Sequence, residues 1–319
     1  MTRFRTLITD YAWPNLDIER AILSKNKIDL VVADKQDSAG LASLANGCDA
    51  IMTNWAKTTA EVIRAAKECK IVARLGIGID NIDVAYCTEH KIPVTNCPDY
   101  CLIEVAEHAL ALILGFGRKV AYYHHETKQG RYVLGAGAPL CRMEGQTLGI
   151  VGLGNIGARL ARKAQGIGLK VVATSRSGKS RVEGVPIVSL DELLSQSDYV
   201  SLHIPANAET KKSFSTSQFA KMKSSAYLIN TARGVLIDDE ALLFALEHNQ
   251  ISGAALDVQD PEPPDLSKPL FRHERVIVTP HAAFVSEESL TDLRTRVSQQ
   301  VVDRLHGRVP ENIVNGIQC

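Results

Sequence analysis

The sequence predicts an α/β protein made of two doubly wound parallel-sheet domains. Short β-branched runs alternate with helix-period stretches along most of the chain, the pattern of a parallel sheet covered by helices on both faces. The alternation comes as two series divided by a long helix-period segment that begins near Glu104. The length, 319 residues, exceeds one ordinary core and fits two domains of roughly 100 to 200 residues each.

In the first series "TLIT" (6–9), "DLVVA" (29–33), "AIMT" (50–53), "KIVARLG" (70–76) and "IPVTNC" (92–97) read as strands. "DIERAILSK" and "TAEVIRAAKEC" between them have helical spacing. From Glu104 the apolar residues of "EVAEHALALILGFGRKVAYYHHETKQG" recur at three and four, which predicts one long helix able to bridge two domains. The second series has strands at 147–152, 170–175, 199–204, 226–232, 252–258 and 275–280. Helices are expected over 156–167, 191–196, 216–222 and 238–248, with a last one over about 287–306. "DPEPPDLSKP" (260–269) is predicted to be a loop, because prolines lack an amide donor and fix φ. Loops after the carboxyl ends of parallel strands are where such sheets bind ligands.

Composition narrows the functional classes. Apolar residues make up 45% and charged residues 23%, as in globular proteins that bury a core without metals or disulfides. Lys plus Arg balance Asp plus Glu at 36 each, so there is no basic field to attract nucleic acid or an anionic membrane. Seven cysteines, at 48, 69, 87, 97, 101, 141 and 319, include no C-x-x-C pair and suit a reducing compartment. Neither a signal peptide nor an apolar run of membrane-spanning length is recognised, so a cytoplasmic location is expected.

"GLGNIG" places Gly152, Gly154 and Gly157 in a G-x-G-x-x-G pattern between a strand and a helix, with Asn155 and Ile156 opening that helix. The first glycine permits the tight turn, the second lets backbone approach a pyrophosphate, and the third lets helix pack on strand. Helix amides then face the phosphates. At the end of the following strand, where an acid usually accepts bonds from the adenine ribose and repels a 2′-phosphate, the chain has Ser175-Arg176, with Lys179 and Arg181 nearby. NADP(H) is therefore favoured and NAD(H) possible, since a charge-assisted bond contributes about 1.5 to 3 kcal/mol.

Beyond the glycine turn, "NTARGVLID" with Arg233, "GAALDVQDPEP" with Asp257 and Glu262, and "VTPHAAF" with His281 make the chain resemble the D-isomer-specific 2-hydroxyacid dehydrogenases. "VARLGIGIDNID" (72–83) and "NCPDYCLIEVAEHALAL" (96–112) extend the resemblance over nearly the whole chain. It implies a Rossmann nucleotide-binding domain (99–286) inserted into a flavodoxin-like substrate domain (1–98 and 287–319), with substrate in a cleft closed during hydride transfer. Reducing a 2-oxo acid needs a cation for the carboxylate, a proton donor for the carbonyl oxygen and a hydride donor. Arg233 has the planar fork for the first, and His281, oriented by Glu262, suits the second.

The resemblance further puts Asp257 beside the nicotinamide carboxamide, His203, Ile204 and Pro205 along the cofactor, and Thr210 near it. Thr231 and Ala232 precede Arg233, and Ala283 is the small residue against the nicotinamide. Arg74, Leu75, Gly76, Ile77 and Gly78 match the loop whose backbone amides hold the substrate carboxylate. The loop at 52–58 lacks an arginine, which disfavours a phosphorylated substrate and leaves a phosphoglycerate dehydrogenase-like enzyme as an alternative. Ser175-Arg176 with a small-acid site resembles NADPH-dependent glyoxylate/hydroxypyruvate reductases. "CPDYCLIEVAEHALAL" is closer to the branch that includes the C-terminal binding proteins, from which a nucleotide-sensing corepressor scaffold without turnover is a second alternative; "PPDLS" (263–267) is similar to the short motif such scaffolds bind. His108 reads as a packed or interdomain residue. His124 and His125 are adjacent, hence about 100° apart on a helix and a poor metal pair, and no metal is expected. A homodimer is expected from the family.

Overall fold

The computed structural model describes residues 3–34, 37–137 and 139–318; Cys319 lies outside them. From the amino end the elements are β1 (Phe4–Ile8), α1 (Asp17–Lys25), β2 (Ile28–Val32), α2 (Ser38–Ala45), β3 (Ala50–Thr53), α3 (Ala60–Ala65), β4 (Ile71–Arg74), α4 (Val84–Glu89) and β5 (Val94–Thr95). Next come α5 (Leu102–Gly117), α6 (Val120–Lys128), a 3-10 turn (Leu134–Gly137), β6 (Thr147–Val151), α7 (Asn155–Gly166), β7 (Lys170–Thr174), α8 (Leu190–Gln196) and β8 (Tyr199–Leu202). The chain finishes with α9 (Thr216–Phe219), β9 (Tyr227–Asn230), a 3-10 turn (Gly234–Leu236), α10 (Asp239–Glu247), β10 (Gly253–Leu256), α11 (Pro269–Arg272), β11 (Val276–Val278) and α12 (Glu287–Leu305). No helix among the described residues is long and apolar enough to cross a membrane.

Two compact units result, one formed by the chain up to Tyr100 together with Ser286 onward, the other by Cys101–Val285. The first contains a five-stranded sheet in the order β2-β1-β3-β4-β5, all parallel, which is the flavodoxin-like order. Alternate residues feed opposite faces. Leu7, Ile51, Val72 and Val94 enter one buried cluster with Leu41, Val62 and Ile63, while Ile8, Met52, Ile71 and Ala73 enter another with Leu23, Leu293 and Val301. This is why the strands are apolar almost throughout.

The second unit has a six-stranded parallel sheet in the order β11-β10-β9-β8-β6-β7. Its order reverses around β6, so the crevice after the carboxyl end of β6 is the topological switch point. The helices α5 and α7 close one face over Leu148, Ile150 and Ala173, and Phe214, Phe219, Leu242 and Leu246 close the other.

All eleven strands overlap predicted runs, whereas α4 is a helix the sequence pattern did not mark, α3 and α9 stop short of the runs expected at 59–69 and 216–222, and three further departures have a local cause. The single helix expected from Glu104 is two: α5 ends at Gly117 and α6 starts at Val120, with Lys119 at φ +50 between them. Gly115 and Gly117 weaken helix propagation there, and a left-handed residue stops it. The loop expected over 260–269 stops one residue short, because Pro269 occupies the first turn of α11, where its missing donor costs nothing. The third departure is α2, a small-residue helix with no clear apolar stripe; the Asp37 side chain starts it by accepting the Gly40 amide.

In the first unit α12 is tied to α1 by a buried ion pair. Arg294 donates Nε to Glu19 Oε1 and Nη2 to Glu19 Oε2, both at 2.8 Å, with Glu19 0% and Arg294 7% exposed. The same guanidinium lies over the Trp13 ring at 5.5 Å. Glu19→Ala leaves that cation buried without its partner and is expected to lower stability by about 3 kcal/mol or more. Urea unfolding followed by tryptophan fluorescence measures this directly, since Trp13 and Trp55 both lie in this unit.

Candidate active site

The carboxyl ends of β6 to β11 carry the predicted site residues of the second unit. After β6 the chain turns at Gly152 with φ +101, a conformation L side chains avoid, and a Cβ there would meet the His203 carbonyl at 2.6 Å. A Cβ on Gly157 would lie 2.4 Å from the Gly152 carbonyl. By contrast nothing stands within 4 Å of a Cβ on Gly154, so the turn leaves open space before α7. The first bond of α7 is the Ala158 amide to the Gly154 carbonyl, so the Asn155, Ile156 and Gly157 amides have no helical acceptor.

At the end of β7, Thr174 Oγ1 accepts the Gly152 amide at 3.1 Å. Ser175 Oγ bonds Ser177 Oγ at 2.9 Å, and Arg176, Lys179 and Arg181 are exposed. Arg181 Nη1 donates to Asn155 Oδ1 at 3.1 Å, which brings one of these cations to the glycine turn itself. After β8, His203 Nε2 bonds Ser201 Oγ at 2.9 Å, and burial pushes its imidazole down to about 4. Ile204 packs on the core. The Thr210 hydroxyl donates to the Pro205 carbonyl at 2.7 Å and accepts the Asn207 amide at 2.9 Å, so it braces the loop.

After β9, buried Asn230 shapes the next turn: its Oδ1 accepts the Ala232 amide at 3.0 Å and its Nδ2 donates to the Arg233 carbonyl at 2.8 Å. Thr231 is buried with a hydroxyl that has no protein partner. Arg233 is partly exposed and donates Nη1 to the Ala232 carbonyl at 2.7 Å. Gly234 is pressed on the following loop, since a Cβ there would fall 2.1 Å from the Gln259 carbonyl carbon. This close approach holds the Arg233 turn against the loop that carries Glu262.

Glu262 Oε2 accepts His281 Nδ1 at 2.7 Å, and its Oε1 accepts the Gln259 amide at 2.9 Å. Burial raises the Glu262 carboxyl, but the hydrogen bond and charge of His281, the Gln259 amide and the charge of Arg233 together hold it below its ordinary value. His281 sits at φ +52, and its amide is bound by the carbonyls of Asp257 at 2.7 Å and Thr279 at 3.0 Å. Asp257, which the resemblance puts beside the nicotinamide carboxamide, is 0% exposed. Its Oδ1 accepts Thr279 Oγ1 at 2.5 Å and the Ala282 amide at 2.9 Å, and its Oδ2 accepts the Ala283 amide at 2.9 Å. What it does in the structure is hold the 279–283 loop.

In the first unit the Arg74–Gly78 loop follows β4. Arg74 is 6% exposed and donates Nε to Asn81 Oδ1 at 3.1 Å and Nη1 to Asn54 Oδ1 at 3.2 Å, with a further bond to the Leu75 carbonyl. The structure thus sets it inside the loop, as a brace. The Leu75 and Gly76 amides bond the Thr53 and Arg74 carbonyls. Among the described residues, the Ile77 and Gly78 amides have no partner in the chain.

The family model for the D-isomer specific 2-hydroxyacid dehydrogenase NAD binding domain matches residues 110–283, more than half the chain. The chain belongs to the D-isomer-specific 2-hydroxyacid dehydrogenase family. Among its relatives in this family, a glyoxylate reductase of Korarchaeum cryptofilum is 38% identical over 84% of this chain and 83% of its own. The hydroxypyruvate reductase of Thermotoga maritima is 34% identical over 96% and 98%. D-3-phosphoglycerate dehydrogenase 2 of Arabidopsis thaliana is 37% identical, but this chain spans only 43% of its length. In structure, the TT0316 protein of Thermus thermophilus superposes with a TM-score of 0.90 at 30% identity, covering 98% of this chain and 100% of that one. The Aquifex aeolicus D-lactate dehydrogenase, solved with NAD and lactic acid, gives 0.87 at 27%, again over 98% and 100%. The acyclic imino acid reductase Bsp5, solved with NADPH and D-Arg, gives 0.86 at 27% over the same shares.

Several residues of this site escape the sequence reading. Asn230 and Gln259 are uncharged and bond mainly backbone groups, Thr279 acts through its hydroxyl on Asp257, and Gly234 acts by having no side chain. His108, read there as a packing or interdomain residue, bonds Thr279 Oγ1 through Nε2 at 3.2 Å and lies 3.5 Å from Asp257 Oδ1, inside the second unit. The available signal was position: each but His108 stands within four residues of a strand's carboxyl end.

The depressed His203 carries a pH consequence. An unfolded His203 takes up a proton near 6.5, whereas the folded one waits until about 4. As pH falls through that window the unfolded state binds more protons and stability drops. His203→Gln is expected to flatten the loss of stability between these two values, as read from urea midpoints measured at a series of pH values.

Proposed function

We propose that this chain is an NADPH-preferring reductase of small, unphosphorylated 2-oxo acids of the glyoxylate and hydroxypyruvate type, acting reversibly on the corresponding D-2-hydroxy acids. The observation that carries the reading is the 2.7 Å Glu262–His281 pair set on strand ends of the same sheet as Arg233 and the glycine turn. The residues present fit a dinucleotide: open space at Gly154, unpaired first-turn amides of α7, and an unpartnered buried hydroxyl on Thr231. Ser175 in place of an acid, followed by the exposed Arg176, with Arg181 bonded to Asn155 of the turn, supports a 2′-phosphate and hence NADP(H).

When bound, the reduced nicotinamide supplies the hydride to the substrate's C2. Arg233 holds the substrate carboxylate with its planar fork. His281 gives the proton from Nε2 to the carbonyl oxygen, and withdraws it in the oxidative direction. Glu262 accepts the Nδ1 proton, which fixes the ring orientation and sets Nε2 as the nitrogen that exchanges protons. His203, Ile204, Pro205, Asp257 and Ala283 belong to the cofactor side of the second unit's site, and in the first unit the Ile77 and Gly78 amides suit a carboxylate.

The reading includes a homodimer in a reducing compartment, the cytoplasm. Val120, Tyr132, Val133 and Leu134, at 60%, 92%, 58% and 90% exposure, form an apolar stretch suited to a second copy of the chain. The six described cysteines are free, and burial pushes Cys69, Cys87 and Cys97 up to about 12, as in thiols that only pack. Analytical ultracentrifugation tests the dimer: a monomer at micromolar concentration removes it.

With purified protein, NADPH absorbance is expected to fall only when glyoxylate or hydroxypyruvate is added; no oxidation with either overturns the assignment. His281→Ala is expected to lower kcat by about 10² or more with NADPH affinity kept. Arg176→Ala and Arg181→Ala are each expected to weaken NADPH about tenfold while leaving NADH unchanged. Equal losses for both nucleotides in fluorescence titration contradict the 2′-phosphate contact.

A further inference from the structure

The buried residues of α5 recur at three and four, and His108 stands in that stripe between Val105 and Leu112, which are 6% and 8% exposed. An ionisable ring takes the place of an apolar side chain there. Its Nε2 lies 3.2 Å from Thr279 Oγ1 and 3.5 Å from Asp257 Oδ1. Among the described residues, His108 is the one basic side chain at ion-pair distance from that buried carboxylate.

Counting hydrogens fixes the direction of each bond in this trio. A carboxylate only accepts, so at 2.5 Å Thr279 Oγ1 gives Asp257 Oδ1 the single hydrogen of its hydroxyl. Thr279 Oγ1 is left with lone pairs alone, and the contact from His108 is then a hydrogen bond only with the hydrogen on Nε2. The three groups form one chain in which every donor points toward the buried charge, His108 Nε2–H to Thr279 Oγ1–H to Asp257 Oδ1. Bonds in such a chain polarise one another, and each strengthens the next. The chain ends on the residue that holds the acid pair's histidine: Asp257 accepts the Ala282 and Ala283 amides on its side chain and the His281 amide on its carbonyl. Gln259 Nε2 holds the Thr279 carbonyl at 3.3 Å.

We infer that His108 is a positioning residue for the Glu262–His281 pair: its Nε2–H, acting through Thr279 and Asp257, anchors the backbone from Thr279 to Ala283 to α5. The inference rests on the proposed reductase in giving His281 the proton transfer; the chain of bonds stands apart from it. A role in packing alone has different consequences. Leucine, apolar and flanked by Val105 and Leu112, would then serve at this position at least as well as a polar residue, and the tautomer of the ring would be immaterial.

The test compares wild type with His108→Leu, which removes the donor, and with His108→Gln, whose amide nitrogen restores one at a similar reach. Backbone hydrogen exchange over residues 279–284 is expected to quicken at least about tenfold in His108→Leu and to stay within about threefold of wild type in His108→Gln. With glyoxylate or hydroxypyruvate, kcat is expected to fall about tenfold in His108→Leu, to recover in His108→Gln, and to move more than the NADPH Kd. Exchange that is the same in all three proteins, or quickened equally in both variants, overturns the inference whatever the activity does. Faster exchange in His108→Leu with kcat unchanged keeps the hold of His108 on the loop and removes the proton-transfer role of His281 instead. A further arm needs only the conservative variant, for assignment. At about pH 8, where an ordinary imidazole is neutral, heteronuclear NMR of the ring nitrogens in wild type is expected to show His108 with its hydrogen on Nε2, and a hydrogen on Nδ1 overturns the inference.

Discussion

The buried carboxylate of Asp257 is the constraint on which the geometry of the Glu262–His281 pair depends. Three donors from one short loop, the Thr279 hydroxyl and the Ala282 and Ala283 amides, converge on its two oxygens. A carboxylate this deeply buried is tolerable only when it is hydrogen-bonded. The loop is therefore not free to relax, and His281 is held at positive φ between Thr279 and Ala282. Its ring then meets Glu262, which itself accepts the Gln259 amide. Removing the Asp257 charge would release the loop before it touched any reacting atom.

The two sheets use one device for different ends. In both units apolar parallel strands are buried on both faces, which leaves their carboxyl ends as the places where polar groups can gather. In the second unit these ends hold a glycine turn, the half-buried imidazole of His203, an arginine and an acid-paired histidine. In the first they hold Asp10, Asn54, Arg74 and Asn81, which serve mainly one another. Arg74 shows the difference: an arginine at a strand end reads as a ligand for an anion, yet its burial and its asparagine partners make it a brace for the loop.

Much of the fold was legible because parallel strands buried on both faces are nearly continuous apolar runs, and their alternation with helix-period segments leaves few readings. "AIMT" and "DIERAILSK" coincide with β3 and α1 residue for residue. The break between α5 and α6 was not legible, because the apolar spacing runs through it and only the backbone at Lys119 departs from helix. Likewise α2 has small residues and no stripe, so its cap and its place beside α3 define it more than its own period does.

The sequence by itself determined the two α/β sheets, the nucleotide-binding turn and the membership of the 2-hydroxyacid dehydrogenases, since these rest on local periodicity and on motifs whose residue order survives in the chain. The Glu262–His281 pair, expected from the family motifs, meets at 2.7 Å across 19 residues. Only the tertiary structure decided the other polar partners: Arg181 and Asn155 are 26 apart and meet at 3.1 Å; Asn54 and Arg74 are 20 apart and meet at 3.2 Å. Hydrogen bonds act over about 3 Å, and no spacing along the chain encodes which groups the strand order brings within that distance.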